Sequence, residues 1–123
     1  MAKTVAVVGA SADRRKFGNK AVRAFDAQGW RVFPIHPSAA EIEGHRAYAS
    51  VVDVPEALDM ATVYVPPEVG LTLLRDFARK GIPEIWLNPG AESDALLAEA
   101  DRRGLRVIVA CSIVGIGQAP GRY

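Results

Sequence analysis

The chain has 123 residues, half of them hydrophobic and 24% charged, which leaves room for one globular domain over residues 1–123. No stretch nears the roughly 18 consecutive apolar residues of a membrane span, the opening residues carry no secretory-signal pattern, and a lone cysteine, Cys111, excludes an intramolecular disulfide, so a cytoplasmic, reducing setting is expected. A net charge of +1 gives no reason to expect nucleic acid or a membrane as partner, yet Lys3, Arg14, Arg15, Lys16, Lys20 and Arg23 face only Asp13 within residues 1–23, so an anion is expected to bind near the N-terminus.

An apolar run at residues 4–8, closed by Gly9, predicts a strand buried on both faces of a parallel sheet. A helix follows from Phe17–Gly18, with Ala21, Val22 and Phe25 on its inner face and Gly29 as its stop. The second strand, residues 31–35, nears its end at Pro34, which cannot donate to a ladder. Ser50 and Asp53 predict a short capped turn before Pro55. A third strand at 61–65 is ended by Pro66 and Pro67, after which Val69, Leu73 and Phe77 keep helical spacing up to Gly81. A fourth strand at 84–87 runs into Asn88, Pro89 and Gly90. Ser93 then caps a helix that turns Leu96, Leu97 and Ala100 inward and ends at Gly104. The fifth strand covers 106–110, and the glycine-rich stretch from Cys111 to Tyr123 is expected to wrap the surface.

Strands alternating with helices, joined by right-handed crossovers, predict an α/β fold: a single doubly wound, Rossmann-like domain with a mainly parallel five-stranded sheet and helices on both faces. Such sheets bind ligands at the carboxyl ends of their strands. Here those ends are the loops at 9–18, 36–39, 65–68, 88–92 and 111–117.

The first of these loops has the chemistry of a phosphate cradle. Gly9 permits a tight turn, Ser11 offers a hydroxyl and an amide, and the amides that open the following helix present a positive dipole end to an anion. The same residues also suit an ordinary strand-to-helix turn. A dinucleotide fingerprint would need glycine where Ser11 and Arg14 stand, and a carboxylate after the second strand where His36, Pro37 and Ser38 stand, so NAD is disfavoured. The P-loop pattern is absent too. Three consecutive cations, Arg14, Arg15 and Lys16, suit a ligand with a phosphate beyond a diphosphate, although such a triplet is also compatible with a solvated loop.

Gly9-Ala10-Ser11 after the first strand, Pro34-Ile35-His36-Pro37 after the second, Val63-Tyr64-Val65-Pro66-Pro67 after the third and Cys111 after the fifth resemble the small stand-alone CoA-binding proteins. These are Rossmann-like domains similar to the CoA-binding domain of the succinyl-CoA synthetase α subunit, and the resemblance runs from residue 4 to about 115. It implies that CoA lays its pyrophosphate on Gly9, Ala10, Ser11 and the turn through Phe17 to Gly18, and its adenine toward His36 and Pro37. The pantetheine arm would cross Val65, Pro66 and Pro67 and then Asn88, Pro89 and Gly90. The 3′-phosphate would meet Arg14, Arg15 or Lys16. Related domains often carry a lysine shortly after the proline that follows the second strand; here Ser38, Ala39 and Ala40 stand instead, which leaves the 3′-phosphate to the first loop.

Acyl-CoA synthetases of the succinate type also use a phosphorylated histidine and a nucleotide-grasp domain. His36 and His45 lie in or after the loop that follows the second strand, the wrong place for that histidine, and no Ser-His-Asp or paired-acid set can be assembled. Two histidines and one cysteine are too few for a structural zinc site. Cys111 reads either as a small buried hydrophobe or as a thiol near the end of the pantetheine arm. The expectation is therefore a non-enzymatic domain that binds CoA or an acyl-CoA and acts as a carrier, a sensor or a detached subunit. The alternatives are an oxidoreductase or redox regulator that binds NADP(H), with the basic loop on the 2′-phosphate, and a module that works through protein contacts alone.

Overall fold

The computed structural model describes residues 2–123. Its main sheet has five parallel strands, β1 (Thr4–Val8), β2 (Arg31–Ile35), β5 (Met60–Val63), β6 (Ile85–Leu87) and β7 (Val107–Val109), in the order β2-β1-β5-β6-β7. Between β2 and β5 a two-stranded antiparallel hairpin, β3 (Glu41–Ile42) and β4 (His45–Arg46), precedes a 3₁₀ turn at Val51–Asp53. The helices are α1 (Phe17–Ala27), α2 (Pro67–Lys80), α3 (Asp94–Arg102) and the short α4 (Ser112–Gly115). This is the doubly wound, Rossmann-like architecture that the alternation of elements predicts.

β1 is an interior strand, paired with β2 and β5, and its five residues are all buried. Side chains alternate across a strand, so Val5 and Val7 pack with Ala21, Val22 and Phe25 of α1 on one face. Ala6 and Val8 pack on the other face with Leu74 and Phe77 of α2 and Leu96 and Ala100 of α3. The sequence therefore reads as an unbroken apolar run because both faces are covered. β2 is an edge strand, and Pro34 sits in it without losing a ladder bond. Its carbonyl points outward and accepts from Tyr48 N at 3.0 Å, so the position of its missing N–H also faces the outer edge.

Helix boundaries follow the capping residues. Ser93 Oγ accepts from Leu96 N at 3.1 Å at the start of α3, and Ser50 Oγ accepts from Val52 N at the start of the 3₁₀ turn. α2 opens at Pro67, a residue suited to a first helical turn, and closes at Gly81 in the left-handed conformation.

Two expectations change. The third strand stops at Val63 instead of running to residue 65, because the chain must leave the sheet for the Val65–Pro66 turn, although Tyr64 N still reaches Val8 O at 2.8 Å. The stretch from Cys111 onward does more than wrap the surface. It forms α4 and buries Ser112 and Ile113, with Ile113 joining the α1-side core. Ile113, Val114 and Ile116 form too short an apolar run to carry a periodic signal, so only the packing reveals that Ile113 is the fully buried one.

Candidate functional site

The order β2-β1-β5 places a topological switch point between β1 and β5: the chain leaves β1 for one face of the sheet and leaves β5 for the other. A cleft of about 760 Å³ opens there, at the carboxyl ends of the strands.

Two glycines make the floor of its first wall. Gly9 has φ +88°, and a Cβ there would lie 3.0 Å from Val65 Cγ1 and 3.1 Å from the Tyr64 carbonyl carbon. Gly18, at the second position of α1, comes so close to the turn that a Cβ would stand 2.2 Å from Gly9 O. Side chains at either position would push apart the strand, the loop and the helix. Lys16 is the residue before α1 and makes no side-chain cap. Among the described residues, no protein acceptor meets the amides of Phe17 and Gly18, two residues that line the cleft at the positive end of the helix dipole.

The three consecutive cations separate. Lys16 lines the cleft, as does Phe17, a residue that is 51% exposed. Arg15 folds back on Asp13, which accepts from its backbone N at 3.0 Å and from Nε and Nη2 at 3.1 Å each. That hydrogen bonding holds the Asp13 carboxyl down at about 2 from its ordinary 3.8 and raises Arg15 in turn. Arg14 pairs with Glu43 at 3.0 Å. Neither arginine lines the cleft.

From the second loop, His36 reaches the cleft and Pro37 does not. His36 Nδ1 accepts from Ser38 N at 3.0 Å and Ala39 N at 2.9 Å. The proton therefore belongs on Nε2, which is the ring nitrogen left to meet a ligand. From the third loop come Val65 and Pro66, while Pro67 is taken up by α2; from the fourth come Asn88, Pro89 and Gly90.

The Asn88 side chain, 3% exposed, is already engaged. Its Nδ2 donates to Thr62 Oγ1 at 2.7 Å and to Val63 O at 3.0 Å, and its Oδ1 accepts from Ser112 N at 2.8 Å. Thr62 Oγ1 and Ser112 Oγ are 2.7 Å apart, and Tyr64 OH lies 3.1 Å from the same serine oxygen. This buried polar floor ties β5 and β6 to the start of α4. Burial pushes the Tyr64 hydroxyl above its ordinary value, against the lowering effect of its hydrogen bonds to Ser112 and Thr62.

Four lining residues lie beyond those the sequence singled out as site residues: Tyr64, Ala91, Cys111 and Pro120. Tyr64 and Cys111 stand at strand ends and were readable from that position. Pro120 arrives from the far end of the chain and had no local signal. Among the described residues, no three His, Cys, Asp or Glu side chains gather as metal ligands. His45 instead approaches Asp26 at 3.3 Å, away from the cleft.

A family model described as "CoA binding domain" matches residues 3–116. The chain is 32% identical over 109 residues to the Archaeoglobus fulgidus acetate–CoA ligase [ADP-forming] II, covering 85% of this chain and 16% of that protein. It is 29% identical over 115 residues to the Pyrococcus furiosus acetate–CoA ligase [ADP-forming] II subunit alpha, covering 85% of this chain and 25% of that one. The chain thus spans a quarter or less of these relatives' length. Among solved structures, a conserved hypothetical protein from Pyrococcus furiosus superposes with a TM-score of 0.83 at 31% identity, covering 94% of this chain and 99% of that chain. With the glycine cradle at the switch point, the free amides opening α1 and a family match over nearly all its residues, this chain belongs to the CoA binding domain family.

Proposed function

We propose that residues 1–123 act as one CoA-binding unit, taking coenzyme A or an acyl-CoA in the cleft at the carboxyl ends of β1, β5 and β6. The observation that carries this reading is the junction of Gly9 and Gly18, where a Cβ on the second would overlap the carbonyl of the first. Such a close approach makes a backbone surface on which a diphosphate can lie against unpaired amides. The cleft then continues past Val65 and Pro66 to Pro89 and Gly90, a path wide and side-chain-poor enough for a flexible pantetheine arm.

The individual roles follow from position. The amides of Ser11, Phe17 and Gly18 take the diphosphate; Lys16 supplies the charge for a further phosphate. His36 Nε2 and the exposed Phe17 ring offer a donor and a stacking face to the adenine end. Arg14, Arg15 and Pro37 are reserve contacts, because reaching the ligand would need the arginines to leave Glu43 and Asp13. Pro67 contributes by starting α2.

The residues around the cleft supply binding groups and no assembled nucleophile–base pair, so the unit works without chemistry of its own, as a carrier, a sensor or a detached subunit in the cytoplasm. The relatives' names, acetate–CoA ligases that form ADP, support a CoA ligand and a partner chain that performs the ligation. Isothermal titration with CoA and NADPH tests the reading. CoA binding at least tenfold tighter, about 1.4 kcal/mol, is expected. Preference for NADPH would favour a redox role, and no shift in melting temperature with either compound would remove the ligand altogether.

A further inference from the structure

The β3–β4 hairpin brings a carboxylate to the back of the phosphate loop. Its turn residues, Glu43 and Gly44, both have positive φ, at 50° and 79°. Asparagine, aspartate and glycine are the residues that suit such a turn. Among the described residues, Glu43 is the only non-glycine with positive φ. Turn geometry does not select glutamate here, so the side chain itself needs explaining.

That side chain is fully engaged at the loop. Oε1 accepts from Arg14 Nη1 at 3.0 Å, and Oε2 accepts from Asn19 Nδ2 at 3.1 Å. Asn19 is completely buried on α1, and the same Nδ2 donates to Ser11 O at 2.9 Å. The carboxylate therefore stands two hydrogen bonds from the backbone of the cradle, inside the roughly 8 Å over which charges act at physiological salt. Asn19 Oδ1 accepts from Arg23 Nε at 2.7 Å, and Arg23 Nη2 donates to Arg14 O at 3.0 Å. The backbone of residue 14 is thus anchored, and only its guanidinium is free to change partner. The Arg14 side chain is 64% exposed and that of Glu43 22%. An exposed pair of this kind is weak enough to exchange for a better anion.

We propose that Glu43 is a specificity-determining residue of the cleft: its carboxylate holds the Arg14 guanidinium and opposes added phosphoryl charge beside the loop. It thereby lowers the preference for a nucleotide with a phosphate beyond its diphosphate. The assignment rests on the cradle holding a CoA diphosphate, as proposed above. Glutamine at position 43 would still accept from Asn19 Nδ2 while releasing Arg14 and removing the negative charge.

The test is isothermal titration of the whole chain with CoA and with dephospho-CoA, for the wild type, Glu43→Gln and Glu43→Gly. Glycine suits the positive φ, so the second variant keeps the fold if the first loses it. The ratio of CoA to dephospho-CoA affinity is expected to rise about threefold to tenfold in both variants, the size of effect that one exposed ion pair and one like charge can exert. The rise should shrink at high salt. An unchanged ratio in folded variants overturns the proposal, because a merely structural glutamate would alter both affinities together. A lower ratio overturns it as well, and would assign Glu43 to aiming Arg14 at the ligand. A wild type that binds neither compound overturns the proposed function, whereas a wild type that binds CoA with no change in ratio overturns the role of Glu43 alone.

Discussion

Gly18→Ala probes the junction on which both the fold and the site depend. The added Cβ would stand 2.2 Å from Gly9 O, 3.1 Å from Gly9 C and 3.3 Å from Ala10 Cα, all backbone atoms that cannot rotate away. Restoring an ordinary van der Waals separation requires the turn and the helix to part by about 1 Å. Overpacking of that kind costs about 1–3 kcal/mol, and alanine returns up to about 1 kcal/mol through better helix propensity. The net loss, up to about 3 kcal/mol and about 1–2 kcal/mol at mid-range, lowers the melting temperature of a chain this size by about 3–10 °C at that mid-range. The same displacement moves the Phe17 and Gly18 amides away from the position proposed above for the diphosphate. Losing one such charge-assisted hydrogen bond, about 1.5–3 kcal/mol, weakens CoA roughly tenfold to hundredfold. Differential scanning fluorimetry and titration calorimetry read the two effects. Gly121→Ala is the control, since nothing lies within 4 Å of its Cβ position. A Gly18→Ala variant with wild-type melting temperature and CoA affinity would refute the view that close approach of α1 to the turn builds the cradle.

Lys16→Ala should weaken CoA about tenfold, whereas Arg15→Ala, which removes a side chain turned onto Asp13, should change it less than twofold; equal losses would contradict the separate placements of these cations. Asn88→Ala removes the acceptor of Ser112 N and the donor to Thr62 Oγ1 and Val63 O, leaving buried polar groups unpaired. The cost should be about 2–4 kcal/mol in urea unfolding, and a loss under about 0.5 kcal/mol would show that the polar floor does not hold α4 to the sheet. Asp13 titrates near 2 when folded and at 3.8 when free, so its contribution to stability is present above 3.8 and fades as pH falls toward 2. The melting-temperature difference between the wild type and Asp13→Asn should accordingly be constant from pH 5 to 7 and shrink between pH 4 and 2; a difference that persists unchanged at pH 2 would contradict the Asp13–Arg15 contact.

The strands, the glycine stops and the tight turn between β1 and α1 were readable from residues close together in the chain. An apolar run bounded by glycine has few physical outcomes when both faces must be buried, and a serine three positions before an unpaired amide caps a helix wherever it occurs. The β3–β4 hairpin was not readable in this way, because strands of two residues carry too little alternation to register.

The sequence by itself determined the α/β alternation and the position of the cleft at the carboxyl ends of the strands, since both rest on local backbone chemistry. Only the tertiary structure decided which cation faces the cleft, because Arg14 is claimed by Glu43, 29 residues away. It also decided that Asn88 anchors Ser112 across 24 residues and that Ile113 belongs to the core. These outcomes depend on which polar partner or apolar surface arrives from elsewhere in the chain, and no window of sequence contains that information.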